Sequence, residues 1–176
     1  MDFCNKPALK ENLLVRDANY KDVPIISKVL ALSWKSAYRG IIDSNYLDSI
    51  SIDGWLPWLE SGFKDKSLFC KLIEKDNEAI GVSAIRQSMI EKYPNDGELI
   101  SLYVLKTGMG YGHILYGAAE KDLKEKSYTH CVLNVLSNSK AIQFYLSRGY
   151  LKTPHTNKVR LGGLEYVCIT MRKSLL

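Results

Sequence analysis

Long apolar runs, paired cysteines, nucleotide-loop signatures and blocks of one charge are all missing from this 176-residue chain. Each absence removes a class of protein. No run approaches the roughly 20 apolar residues that a bilayer demands of a spanning helix. The opening MDFCNKPALKEN has no apolar core of a signal peptide, so a cytoplasmic protein without membrane attachment is expected. The four cysteines (Cys4, Cys70, Cys131, Cys168) form no C-x-x-C, and none of the three histidines stands where it would complete a zinc site, so no metal is expected. Three of the cysteines lie in apolar runs that read as strands (SLFCKLI, THCVLNV, EYVCITM), which predicts buried free thiols rather than disulfides. No repeat or low-complexity tract marks a boundary, so residues 1–176 read as a single domain with 1–11 as a flexible extension.

Hydrophobic residues make up 46% and charged residues 24%, a balance that supports a packed core and excludes disorder for most of the chain. The net charge of +5 is unevenly spread: after residue 138 there are seven cations and one acid, Glu165, so this part alone carries +6. Such a bias suits a polyphosphate ligand or a solvated face. A nucleic-acid partner is not expected, because the basic part lacks interleaved aromatics and any recognised motif.

Alternation and helical spacing predict the order βααβββαβαββ, a mixed α/β domain. Residues 12–17 form a first strand. Asp22 then caps a helix through Ile25, Ile26, Val29, Leu30 and Trp34 to Tyr38, ended by Gly40. A second helix starts at Asp43 or Ser44 and runs toward Trp55 and Trp58. Strands follow at 67–75, 77–87 and 98–105, then a helix from Tyr111 to Lys126, a strand at 129–136, a helix from Asn138 to Gly149, and strands near 156–161 and 164–172.

Chemistry first shows in Gly108-Met109-Gly110-Tyr111-Gly112-His113, a loop between a strand and a helix. Glycines there let the chain turn sharply and present backbone N–H groups beside the positive end of a helix, an anion site suited to phosphate. A dinucleotide site does not fit, because the third glycine comes one residue early and the next strand ends Leu136-Ser137-Asn138 without a carboxylate.

The loop is preceded by Leu102-Tyr103-Val104 and followed, one helix later, by Asn138, Ala141, Phe144, Tyr145, Gly149 and Tyr150. In that order these residues resemble the paired motifs of the GCN5-related N-acetyltransferase (GNAT) superfamily: L-Y-V, a Q/R-x-x-G-x-G/A loop, and N-x-x-A-x-x-F-Y-x-x-x-G-F/Y. Trp34-Lys-Ser-Ala-Tyr-Arg-Gly-Ile-Ile-Asp-Ser-Asn-Tyr-Leu47 is also similar to the W-x-x-A-Y-x-G-I-x-P-x-x-Y-L of many small members. One departure is present. Only Leu105, Lys106 and Thr107 separate L-Y-V from the first loop glycine, and Thr107 stands where the family has Gln or Arg.

The resemblance implies a GNAT fold, a mixed central sheet of six to seven strands flanked by helices, and an acetyl-CoA-dependent N-acetyltransferase that releases CoA. The acceptor it implies is an amine of a small molecule or a peptide. Transfer would be direct, in a ternary complex, since neither motif contains a cysteine. Gly108 to His113 would hold the pyrophosphate, Leu102, Tyr103 and Val104 would pair with the pantetheine amides, and a backbone N–H near Val104 would polarise the thioester carbonyl. Asn138 would bond the pantetheine arm, serve as a helix N-cap, or both. Tyr145 is read as the general acid that protonates the leaving thiolate, against the alternative of an aromatic packed like Phe144. Glu98 is either the base that frees the amine or a solvated strand end. Trp34 and Tyr38 either line the acceptor pocket or pack in the core. An acidic pocket lining would point to a polyamine or aminoglycoside acceptor. A homodimer is in keeping with the family. The competing class is a CoA-binding regulatory module of this fold without catalysis.

Overall fold

The computed structural model describes residues 12–176, so Cys4 and the expected N-terminal extension lie outside the described residues. The strand β1 (Leu13–Asp17) enters through a single 3-10 turn at Tyr20–Asp22 into the helix α1 (Val23–Ala37). Asp22 does not cap α1 with its side chain. Its carboxylate is taken by the Arg16 guanidinium, with both contacts at 2.8 Å, and by the Asn19 amide. Pro24 occupies the first turn of α1, where a missing N–H costs nothing.

The expected second helix is two helices. α2 (Ser44–Ser49) is capped by the Asp43 side chain and stops where Ile50 turns extended, at ψ 117°. A tight turn follows, with the Gly54 amide on the Ser51 carbonyl, and α3 (Leu56–Lys64) starts afresh around Pro57. The element order is therefore βαααβββαβαββ, with one helix more than the periodicity of the sequence suggests.

Next come β2 (Phe69–Lys75), β3 (Glu78–Gln87), β4 (Gly97–Val104), α4 (Tyr111–Glu125), β5 (His130–Leu136), α5 (Ala141–Ser147), β6 (Leu151–Leu161) and β7 (Leu164–Ser174). β6 begins earlier than expected because it continues through a bulge between Lys152 and Thr156, where Pro154, lacking an N–H, is tolerated. The strands form one seven-stranded mixed sheet in the order β1-β2-β3-β4-β5-β7-β6, in which β4 and β5 are the parallel pair.

Helices cover both faces. Ile26, Val29, Leu30 and Leu59 of α1 and α3 pack on Leu72, Val82 and Ala84 on one side. On the other, Ala119 and Leu123 of α4 and Ile142 of α5 pack against Ile85, Leu99, Leu133 and Met171, and Leu115 of α4 packs on Ile73. Cys70, Cys131 and Cys168 are buried as free thiols, as their apolar surroundings predict. No helix among the described residues is long and apolar enough to cross a membrane.

Candidate active site

β4 is hydrogen-bonded to β3 along most of its length, but to β5 only through Gly97↔Cys131 and Glu98↔Val132. From Leu99 onward its other edge has no ladder partner among the described residues, while β5 continues antiparallel to β7 as far as Leu136. Adjacent parallel strands that stop pairing after two positions diverge, which opens a wedge that is closed at Glu98 and widens toward Val104. The register with β3 slips just beyond the apex, leaving Ile100 without a partner, and such a bulge bends the strand and turns a backbone amide out of the ladder.

The glycine loop stands at the wide end. Gly108 and Gly110 have φ of +81° and +80°, a conformation costly for residues with a Cβ, so the turn between strand and helix depends on them. The amides of Tyr111 and Gly112, at the start of the 15-residue α4, have no backbone acceptor among the described residues. Nothing lies within 4 Å of where a Cβ would stand at Gly108, Gly110 or Gly112. Unpaired N–H groups, the positive end of a long helix and an unobstructed approach together fit a phosphate. His113 is exposed and its ring lies 5.1 Å from that of Phe144, bridging α4 to α5.

Tyrosines gather along the wedge. The Tyr38 and Tyr103 hydroxyls are 2.7 Å apart, joining α1 to β4. Burial raises the Tyr103 pKa well above the ordinary phenol range, the neighbouring Tyr38 and Tyr145 hydroxyls add to this, and the Trp34 indole N–H opposes it. Tyr145, on α5, is raised mainly by burial and further by the nearby Tyr38 and Cys131. A phenol in this state keeps its proton at neutral pH.

The acetyltransferase (GNAT) family model matches residues 29–150, from the middle of α1 to the end of the α5 motif. The chain belongs to this family. Among curated relatives of this acetyltransferase, the N-acetyltransferase YuaI of Bacillus subtilis is 27% identical over 135 residues, covering 74% of this chain and 76% of the relative. A spermidine N(1)-acetyltransferase of Thermoplasma acidophilum is 24% identical over 147 residues, covering 77% and 86%. Among solved structures, the PaiA N-acetyltransferase of T. acidophilum in complex with coenzyme A matches with a TM-score of 0.71 at 22% identity, over 93% of this chain and 99% of that one. YncA of Salmonella typhimurium with acetyl-CoA matches with a TM-score of 0.69 at 18% identity, over 94% and 95%. The seven-stranded sheet with its parallel β4–β5 pair is thus the fold of the family.

In this acetyltransferase the residues singled out from sequence fall into two groups. Leu102, Tyr103 and Val104 stand on β4 beyond its pairing with β5, Gly108 to His113 form the loop and the first turn of α4, and Trp34, Tyr38 and Tyr145 gather around Tyr103. Asn138 lies exposed in the turn after β5 and makes no hydrogen bond among the described residues. It does not cap α5, which begins at Ala141 with that amide on the Ser139 hydroxyl at 3.1 Å. Glu98 is buried at the apex, where its Oε2 accepts from Arg86 Nε at 2.8 Å and from the Met89 amide at 3.2 Å. Three of the seven cations in the basic C-terminal part are paired: Arg172 with Asp96, Lys173 with Glu120 and Lys158 with Glu165. Sequence reading missed Trp55 and Tyr46 beside Trp34, and Arg86 beside Glu98. Tyr46 stands in the quoted N-terminal motif and could have been singled out with Trp34. Trp55 and Arg86 belong to no motif.

Proposed function

We propose that this acetyltransferase moves the acetyl group of acetyl-CoA to a primary amine of a small molecule or peptide, by direct transfer in a ternary complex. The observation that carries this reading is the wedge, with a phosphate-suited glycine loop at its wide end, an unpaired strand edge along it and a half-buried neutral phenol beside it. When bound, acetyl-CoA supplies the activated thioester. The Tyr111 and Gly112 amides hold the pyrophosphate, and the free edge of β4 from Leu102 to Val104 offers the hydrogen bonds that pair an extended amide chain. A backbone N–H of β4 polarises the acetyl carbonyl, a fixed donor that needs no reorganisation during reaction. Val104 was the expected donor, and the bulge at Ile100 offers a second position nearer the apex. Asn138, exposed at the lip, is free to turn its amide toward the pantetheine arm.

The acceptor amine is protonated at neutral pH and must lose a proton before it can attack. Glu98 takes that proton through water on Oε1, the oxygen not bonded to Arg86 or Met89. Tyr145 delivers its phenolic proton to the departing thiolate. The reaction belongs in the cytoplasm, where Cys70, Cys131 and Cys168 stay reduced. The test is release of CoA thiol from acetyl-CoA with a panel of primary amines, together with mass spectrometry of the product and the protein. Tyr145→Phe should lower kcat about tenfold or more while leaving CoA affinity and Tm unchanged. Unchanged turnover removes Tyr145 from the acid role, and a stoichiometric acetyl-cysteine on the protein rules out direct transfer.

A further inference from the structure

Beside the tyrosines of the wedge lies a second cavity of about 390 Å³, walled by Trp34, Tyr46, Ile50 and Trp55 with the hydroxyls of Ser49 and Ser51 at its rim. Resting on the reading of the protein as an amine acetyltransferase, we infer that this cavity holds the body of the acceptor. That body is apolar and flat or branched, an arylalkylamine for example, rather than a polyamine.

The cavity joins the reaction centre through Trp34. That ring lies 5.5 Å from Trp55 inside the cavity and 4.9 Å from Tyr38, whose hydroxyl meets that of Tyr103. An amine nitrogen at the wedge therefore places the atoms behind it between aromatic faces.

The charge of the lining decides the chemistry. A polyamine keeps further ammonium groups when one end reacts, and each of these needs an anion or strong acceptor once it leaves water. The cavity lining contains no charged side chain. Its only polar side chains besides the Tyr46 and tryptophan tips are two neutral hydroxyls engaged locally, Ser49 Oγ donating to the Tyr46 carbonyl at 2.7 Å and Ser51 Oγ accepting from the Asp53 amide at 3.2 Å, and neither supplies the negative charge that would offset an ammonium group. Of the charged residues around it, Arg39 and Asp48 are paired with each other, Lys35 donates to the Asp48 carbonyl, and Asp53 is exposed outside the lining. Aromatic walls instead reward a flat apolar body by burial and ring contact.

The walls are also held in place, as a specificity pocket requires. Tyr46 is pinned from above by the β6–β7 turn, where a Cβ on Gly162, at φ +57°, would stand 2.6 Å from the Tyr46 Cβ. The Asp43 amide ahead of α2 donates to the Tyr166 hydroxyl of β7 at 3.0 Å. Trp55 is tied to α1 through Ser27, whose Oγ donates to the Ile52 carbonyl and accepts from the Trp55 amide.

The experiment uses the full chain with acetyl-CoA and three acceptors: 2-phenylethylamine, spermidine and ethylamine, the last having no body to bind. The expected result is a kcat/KM for 2-phenylethylamine at least about tenfold above that for spermidine. Trp55→Ala should raise KM for 2-phenylethylamine about tenfold, leave its kcat within about twofold and leave ethylamine unchanged, while Trp55→Phe recovers most of the loss. Spermidine as the preferred acceptor, or a Trp55→Ala loss equal for all three amines, overturns the inference alone. The wild-type comparison decides it even if Trp55→Ala does not fold. No thiol release with any of the three overturns the acetyltransfer reading beneath it.

Discussion

At its entry β4 is hydrogen-bonded on both edges, to β3 and to β5, and the segment leading into it is fastened by ion pairs: Asp96, buried, to Arg172 at 2.5 and 3.0 Å, and Glu98, buried, to Arg86. At its exit the same strand keeps β3 alone and runs into a loop whose two left-handed glycines touch nothing. One end is built from side-chain pairs, of which Asp96–Arg172 joins the two halves of the sheet and Glu98–Arg86 ties β4 to β3, the other from backbone left unpaired. The contrast separates stability from function along eight residues of one strand. The closed end holds the halves together across a seam of only two residue pairs, and the open end leaves main-chain groups free for a ligand.

Substitutions at each end should therefore fail differently. The largest effect is expected from Asp96→Ala, which leaves Arg172 without its partner at the seam. Because Arg172 is a third exposed, the cost is about 2–3 kcal/mol, or about 5–10 °C in Tm for a chain of this size, with kcat at 25 °C within about twofold. A comparable loss of kcat would erase the separation between the two ends.

Glu98→Gln sharpens the contrast, because Glu98 belongs to the closed end by packing and to the reaction by proposal. The expected outcome is a kcat/KM lowered about tenfold near pH 7, with the deficit shrinking as pH rises and solvent deprotonates the amine. A flat deficit across pH, or a lowered Tm with full turnover, would assign Glu98 to the seam alone. At the open end, Gly110→Val should raise the Kd for CoA about fivefold in calorimetric titration, since a branched side chain resists φ +80°. The smallest effect, and the only stabilising one, is expected from Gly117→Ala. Gly117 is exposed in the middle of α4 with open space around it, so Ala should add about 0.5–1 kcal/mol in denaturant unfolding without changing turnover.

Much of this architecture is written locally. The alternation in ELISLYVL, the glycine run before Tyr111 and the helical spacing of Leu115, Ala119 and Leu123 suffice to place β4, the loop and α4. The elements that were misjudged were decided by short-range turn chemistry that a hydrophobic pattern does not carry: the extended backbone at Ile50 that splits α2 from α3, and the bulge that lets β6 pass through Pro154. The site's finer features depend on distance in space instead. Nothing in the string around Glu98 announces Arg86, twelve residues earlier, and nothing near Trp34 announces Trp55 across the intervening helix α2. Both pairs exist only because the sheet and the α1–α3 layer bring them together. The basic C-terminal part teaches the same lesson in reverse, since two of its seven cations are met by acids from earlier in the chain.

The three buried cysteines acquire a meaning once the proposed product is considered. An enzyme that releases coenzyme A sets free a thiol at every turnover, and a protein thiolate within reach could exchange with its oxidised form. Burial pushes Cys70 and Cys131 up to about 12 and raises Cys168 as well, so all three stay protonated and poorly nucleophilic at cellular pH. Cys131 sits at the very apex of the wedge, where its Sγ accepts the Tyr150 hydroxyl at 3.0 Å. The sulfur best placed to be captured by the cofactor as a mixed disulfide is thus sealed beneath a phenol, and the wedge can pass a thiol without being titrated by it.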